Sequence, residues 1–170
     1  MLRTDVKLTE MFLAQLETEG PRTRRALADV PDGVEDWRPH EESLPVGRLA
    51  SMLASAPFWV ESIVEHDAID LAPADGRRLA PPAVPDGPGR VRAFDEALER
   101  ARIALEQTTE EHLRRPWQLL EGGRVVSENP RHEALRETFI QLATYRSQLL
   151  THVRLLGARI PAVEATPLAS

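Results

Sequence analysis

The residues best suited to chemistry lie on one face of a long helical segment near the C-terminus. Its polar side chains recur at steps of three or four residues: Thr138, Gln141, Tyr145, Gln148 and His152. Side chains at this spacing project from the same side of a helix. We expect the face to be half buried and to carry whatever chemistry the protein performs. Glutamine and neutral tyrosine are poor zinc or nickel ligands, so the spacing does not indicate a local metal site.

The histidines do not form a metal motif. No two lie three or four residues apart among the five present: His40, His66, His112, His132 and His152. As a metal ligand, His152 would need partners from other helices, so we interpret it as a hydrogen-bonded histidine at the edge of the helical core. His40 follows Pro39 in a predicted loop, where a structural role in orienting the link is favoured. We predict no metal site and no cofactor.

Arg146 interrupts an apolar stripe on the same segment. A buried arginine needs a carboxylate or carbonyl partner. We favour a structural ion pair, with Glu61 or Glu65 of the second predicted helix as partner, over an anion clamp in a pocket. Gln148 is interpreted as an amide that ties helices or a loop together.

Composition narrows the class of protein. At 170 residues, with 42% hydrophobic and 28% charged residues, the chain predicts one globular domain over residues 1–170. The net charge of −6 argues against nucleic-acid binding. No apolar run approaches a membrane span, and the first residues lack a signal-peptide core, so we expect a cytoplasmic protein. Without cysteine there is no disulfide, thiol nucleophile or thiolate metal site.

Apolar residues at helical spacing predict four amphipathic helices, over about residues 5–29, 43–66, 90–107 and 131–156. The first helix should kink at Gly20-Pro21 rather than split. Residues 67–89 read as a long irregular crossover, and Gly122-Gly123 sits between short apolar runs suited to a small hairpin. A short helical turn is expected near residues 110–112. With no convincing sheet, the pattern indicates an all-α bundle.

The flanking residues predict how the elements begin and end. Asn129 should cap the last helix, with Pro130 in its first position, and Ser43 should cap the second helix. Gly157 supplies a stop and Pro161 blocks a restart. The indole of Trp37 is expected to be buried against the helices. The last helix should bury one apolar stripe: Leu135, Phe139, Leu142, Leu149, Val153 and Leu156.

Two segments together resemble a known family. TFIQLATYRSQLLTHVRLLGARIP is similar to the last helix of the DinB/YfiT-like four-helix bundles, and DWRPHEESLPVGRLASMLA is similar to the segment that leads into their second helix. The matching residues are Trp37, Arg38, Pro39, His40, Ser43, Leu49, Ala50, Leu53, Ala54, Arg146, Gln148, Leu149, Arg154, Gly157 and Pro161. The resemblance implies an up-down-down-up bundle, a long crossover between its second and third helices, and a homodimer.

The resemblance also implies where a divalent metal would bind. In the family, one histidine of the second helix and two of the last helix hold it, and active members are mostly metal-dependent thiol-cofactor transferases and isomerases. Carried over by position, those sites are Met52, Gln141 and Tyr145, none of which is histidine. We therefore carry no catalytic role over to this chain.

Three functions follow as hypotheses. The first is a metal-free, non-catalytic member that binds a small molecule or only packs its core, with a stress role by analogy to the family name; its pocket residues would be Met52, Trp59, Gln141, Tyr145, Gln148 and His152. The second is a transferase or hydrolase, either without metal or with a relocated site built from His40, His152 and carboxylates. The third is a structural, partner-binding dimer, marked by the lack of a ligand-sized cavity.

Overall fold

The structure, a computed structural model, describes residues 6–157. It is mostly helical, with a small three-stranded sheet. The elements in chain order are α1 Leu8–Ala28, α2 Val46–Glu65, β1 Ala68–Asp70, α3 Pro88–Gln107, α4 Glu110–Arg114, β2 Pro116–Glu121, β3 Arg124–Pro130 and α5 Arg131–Leu155. None of the described helices is both long enough and apolar enough to cross a membrane.

The four long helices pack side by side, with α2 against α3 and α5, and α1 against the same two neighbours. Contacts between corresponding ends show that α1 and α5 run parallel, while α3 runs antiparallel to α1 and α5 antiparallel to α2. These contacts are Phe12–Phe139, Glu19–Arg146, Arg24–Asp95, Thr9–Glu110 and Ile63–Arg131. The resulting order of directions is up, down, down, up.

The core has two apolar clusters, because the helices are long enough to bury side chains at both ends. One end is centred on Phe12, Leu105 and Leu135. The other is centred on Leu53 and Phe94. Burying each such side chain contributes about 1.5–3 kcal/mol. Five residues of the apolar stripe predicted on the last helix are buried: Leu135, Phe139, Leu142, Leu149 and Val153. The sixth, Leu156, is half buried.

The sheet corrects the prediction of an all-α protein. β1 pairs parallel to β2, and β2 pairs antiparallel to β3. The hairpin predicted at Gly122-Gly123 is confirmed; both glycines have positive φ, +60° and +77°, as a tight two-residue hairpin turn requires. β1 lies inside the segment predicted to be irregular, residues 67–89. Three residues are too few to show an alternating pattern, so periodicity could not predict this strand.

α1 continues through Pro21 as one helix, so the prediction that it would not split is confirmed. Pro21 faces solvent, which leaves the carbonyl freed one turn back open to hydration. Several predicted boundaries change. Ser43 does not cap α2, whose capping position is Pro45. At α5, Pro130 takes the capping position predicted for Asn129. The short helix predicted near residues 110–112 is confirmed as α4. The predicted roles of residue 5 and residue 161 fall outside the described residues.

Candidate functional site

A cavity of about 690 Å³ lies between α2, α5, the sheet and the connection that follows β1. Its four walls come from separate parts of the chain, which the fold brings together. The described residues that line it are Arg48, Ser51, Met52, Ser55, Ala56, Trp59, Ile63, Leu71, Arg78, Pro81, Pro82, Val84, Trp117, Leu119, Ser127, Asn129, Ala134, Glu137, Thr138, Gln141, Leu142 and Tyr145.

Two tryptophans form the aromatic part of the lining. Trp59 projects from α2 and is held edge-on by Phe58, with ring centroids 5.4 Å apart. Trp117 comes from β2 and is 8% exposed. Its indole Nε1 is buried and has no hydrogen-bond partner among the described residues. An unpaired buried N–H is costly, so this indole is an unsatisfied donor that lies covered beneath the cavity surface.

The polar side chains of the lining divide into two groups. The hydroxyls of Ser55 and Thr138 donate to carbonyls one turn back in their own helices, which leaves them little capacity for a ligand. Gln141 and Tyr145 project from α5 into the lining. Within residues 6–157 neither side chain is engaged in a hydrogen bond, so both are available to a bound molecule.

The lining carries more positive than negative charge. Arg48 lies in the first turn of α2, and Arg78 lies in the connection between β1 and α3. Among the described residues no carboxylate forms an ion pair with either guanidinium. The single acid in the described lining, Glu137, lies 3.5 Å from Arg136 of its own helix. Two exposed guanidiniums and one carboxylate thus give the described lining a net positive formal charge, although the whole chain is acidic.

The structure brings together four of the six predicted pocket residues. Met52 and Trp59 of α2 and Gln141 and Tyr145 of α5 line the same cavity. Gln148 is exposed on the outside of α5, and within residues 6–157 its side chain makes no hydrogen bond that would support its predicted tying role. His152 lies two turns beyond the cavity.

His152 lies in the core, against the link between α1 and α2. It is 8% exposed, and its ring meets Trp37 edge-on, with centroids 6.0 Å apart and planes at 82°. Neither ring nitrogen has a hydrogen-bond partner within the described residues, which differs from the predicted hydrogen-bonded histidine. Trp37 is half buried and packs against the second core cluster. The pair therefore secures the link by packing.

His40 acts locally within the same link. It is exposed, and its Nδ1 accepts a hydrogen bond of 3.2 Å from the Glu42 backbone N–H. The His40 carbonyl accepts from the Ser43 N–H at 3.0 Å. These bonds shape the turn before α2, in keeping with the structural role expected for this histidine.

Arg146 joins α5 to α1, not to α2. Its Nη1 lies 2.5 Å from Glu19 Oε2 and donates to the buried Thr23 hydroxyl at 3.0 Å. The predicted partners Glu61 and Glu65 were wrong; Glu61 pairs with Arg100 at 3.2 Å. The reason is geometric, since Tyr145 occupies the α5 face near α2 and its neighbour Arg146 points about 100° away.

Arg131 is a structural centre that the sequence reasoning missed. Its side chain is 1% exposed and donates to the carbonyls of Ile63 at 3.1 Å, Pro116 at 3.0 Å and His66 at 3.4 Å. It also pairs with Asp67. An arginine in the first turn of a helix is ordinarily a surface residue, so no sequence signal distinguished it.

Two solved structures resemble this one over nearly their whole lengths. The DinB-like protein YjoA from Bacillus subtilis gives a TM-score of 0.70 at 13% sequence identity, covering 93% of this chain and 99% of that chain. A protein described as a DinB family member, from Exiguobacterium sibiricum 255-15, gives a TM-score of 0.64 at 20% identity, covering 92% and 97%. This chain has the DinB-like fold. No protein-family model and no curated protein matches its sequence.

The DinB-like resemblance places a divalent metal at Met52, Gln141 and Tyr145, and the residues present do not fit one. They offer a thioether, an amide and a phenol, which are weak partners for zinc or nickel. Glu137 is the sole carboxylate of the described lining, which includes no imidazole. Within residues 6–157 no three His, Cys, Asp or Glu side chains cluster as a metal site would require.

Proposed function

We propose that this chain is a four-helix-bundle member of the DinB superfamily whose pocket binds a small organic molecule without a metal and without catalysis. The observation that carries the proposal is the cavity of about 690 Å³, whose lining includes Met52, Gln141 and Tyr145. Cavities of about 300–1,000 Å³ lined by apolar and aromatic side chains with few polar groups are typical small-molecule sites.

The enzyme hypothesis with a relocated metal site gains little support. His40 is exposed and bonded to its own turn, while His152 is enclosed against Trp37. Neither lines the cavity, and the described acids do not gather around either histidine. An enzyme that uses no metal is left as the alternative to a binding protein.

The hypothesis of a purely structural dimer predicts no ligand-sized cavity, and the cavity counts against it. A homodimer, a cytoplasmic location and an association with stress stay predictions from the sequence and its resemblance. The homodimer is checked by light scattering or analytical ultracentrifugation of the full chain.

Metal content tests the proposal directly. Tag-free protein should contain no stoichiometric zinc or nickel by elemental analysis, and titration calorimetry with either metal should give no binding above background. A triple variant, Met52→His with Gln141→His and Tyr145→His, should gain one-to-one zinc binding, because three imidazoles on facing helices form a complete ligand set.

A matched control carries Thr144→His in place of Gln141→His in the triple variant. Thr144 is exposed and does not line the cavity, so this control should bind zinc about tenfold or more weakly if the three positions converge as proposed. Tight one-to-one metal in the unmodified protein, lost on His152→Ala, would establish the relocated site and overturn the proposal.

A further inference from the structure

We propose that the cavity selects an amphipathic organic anion, with an apolar or aromatic body between the tryptophans and an oxyanion head, such as a carboxylate, at Arg48 and Arg78. This inference rests on the proposed function and adds the chemical class of the ligand. It depends on three features of the lining: its charge, its surplus of hydrogen-bond donors and its apolar wall.

Several arginines of the described chain pair with acids: Arg24 with Asp95, Arg100 with Glu61, Arg102 with Glu99 and Glu106, and Arg146 with Glu19. Others, such as Arg92 and Arg154, form no ion pair within residues 6–157, so the shared position of two arginines at one cavity matters more than the lack of a partner. Arg48 and Arg78 face one cavity from different elements and have no such acid within the described chain. An anionic head placed between them would supply the missing charge and accept several N–H bonds.

The lining also offers more donors than acceptors. Both guanidiniums, of Arg48 and Arg78, only donate. The Tyr145 hydroxyl and the Gln141 amide add two adaptable groups. A ligand rich in oxygen acceptors satisfies this set, whereas an organic cation leaves every one of these donors unmatched and meets two like charges.

The apolar wall sets the body of the ligand. Trp59 and Trp117 present ring surface, and Met52, Ile63 and Leu142 add flexible and branched apolar contacts. Such a wall favours a flat or branched hydrocarbon body over a sugar or a small inorganic anion, because it offers area but few hydrogen bonds. Inorganic phosphate alone is therefore expected to bind poorly.

Two fluorescent probes with the same ring system separate the contribution of the apolar body to binding from the contribution of the charge. Anilinonaphthalene sulfonate carries an oxyanion, and phenylnaphthylamine is its uncharged counterpart. We expect the full-length protein to bind the sulfonate about tenfold or more tightly than the uncharged probe, since a charge-assisted hydrogen bond is worth roughly that factor or more. The affinity for the sulfonate should fall as salt rises, and that for the uncharged probe should not.

Single substitutions test which residues produce the preference for the sulfonate. Arg48→Gln and Arg78→Gln should each lower the affinity for the sulfonate roughly tenfold. The affinity for the uncharged probe should change less than about twofold. Arg77→Gln is the matched control, because Arg77 neighbours Arg78 in the same exposed connection but does not line the cavity. It should leave both affinities unchanged. Gln141→Trp, at an exposed position of the lining, should block both probes while preserving the helical circular dichroism.

The outcomes distinguish this inference from the proposed function. Equal affinity for both probes, unaffected by the arginine changes but lost on Gln141→Trp, would overturn the anion preference and retain a cavity that binds uncharged molecules. Binding of both probes that survives Gln141→Trp, or no binding of either probe, would overturn the binding cavity itself. Preferential sulfonate binding that is lost with both arginines supports the inference.

Discussion

At the scale of single residues, the buried polar groups differ in whether they have partners. Thr23 receives the Arg146 guanidinium, whereas Trp117 Nε1 and both nitrogens of His152 have none within the described chain. An unpaired buried donor costs about 1–3 kcal/mol. Trp117 lines the cavity with its ring, but its Nε1 is itself covered. His152 belongs to the core, where edge-on packing against Trp37 is its observed contact.

Removing the Arg146 side chain should be costly. Arg146→Ala leaves the Glu19 carboxylate, whose side chain is 15% exposed, with the exposed Arg22 as its remaining cation, and it removes the donor of the buried Thr23 hydroxyl. We expect the free energy of unfolding to fall by about 2–3 kcal/mol, measured by urea denaturation.

The control is Arg22→Ala, because Arg22 also pairs with Glu19 but is far more exposed. An exposed pair within one helix contributes little, so the change should be about 0.5 kcal/mol or less. Equal effects from the two variants would show that burial does not set the strength of the α1–α5 ion pair.

The sequence was enough to predict what kind of interaction these residues make, but not which residues they make it with. It placed Arg146 in a structural ion pair, yet chose an acid on the wrong helix, because a long crossover leaves the neighbours of a helix unspecified. It grouped Gln148 and His152 with Gln141 and Tyr145 by helical spacing alone. The cavity ends near Tyr145, where the sheet and the connection no longer face α5, and spacing along one helix holds no information about that.

At the scale of elements, Asp70 fastens the hairpin to the end of β1. Its carboxylate accepts backbone N–H bonds from Ala72 at 3.0 Å, Gly122 at 2.9 Å and Gly123 at 2.7 Å. The bond from Ala72, followed by those from Gly123 and Gly122, lowers the pKa of Asp70 below its ordinary value. The charged carboxylate thus ties the hairpin turn to the end of β1.

Asp70 should therefore make stability depend on pH. Since its pKa is lower in the folded chain than in the unfolded chain, its contribution is complete above pH about 4 and is lost as the pH falls through the folded value. Asp70→Asn should lower the urea midpoint at pH 7, and the gap to the unmodified protein should narrow as the pH is lowered to about 3.

The control for this measurement is Asp75→Asn. Asp75 accepts only a local bond from the Arg77 N–H in the same connection, so its loss should not alter the hairpin. The difference in urea midpoint between Asp70→Asn and the unmodified protein could instead stay constant with pH. That result would mean that the charge of Asp70 does not hold the turn.

The elements themselves were predictable to different degrees. The long helices follow from apolar periodicity over twenty residues or so, and the hairpin follows from its two glycines. β1 did not, because its three residues gain their structure from pairing with β2, about fifty positions further along the chain. Local pattern cannot reveal an element that exists only through a distant partner.

At the scale of the whole molecule, Arg131 connects elements that lie far apart in the sequence. Its guanidinium bonds to the end of α2, the residue before β1 and the start of β2, while its own backbone begins α5. Arg131→Gln should lower the free energy of unfolding by about 3–5 kcal/mol, since several buried carbonyls lose their donor at once. Urea unfolding followed by circular dichroism and by tryptophan fluorescence measures it.

Arg136→Gln is the comparison for Arg131, because Arg136 pairs with Glu133 on the exposed side of the same helix. Its effect should be about 0.5 kcal/mol or less. If Arg131 unites the helices and the sheet, both spectroscopic transitions should move together in Arg131→Gln. Separate transitions would mean that the sheet unfolds independently of the helices.

The wall of the cavity that follows β1 can change in sequence without a change in the helices. Arg78, Pro81, Pro82 and Val84 belong to a stretch, residues 72–87, in which no helix or strand is assigned. Insertions and exchanges there leave the helical hydrogen bonds intact, and lengthening a surface segment adds only slowly to the entropy cost of closing it. Evolution, or a protein engineer, can therefore diversify what the cavity accepts by rewriting one short segment while the four helices stay as they are.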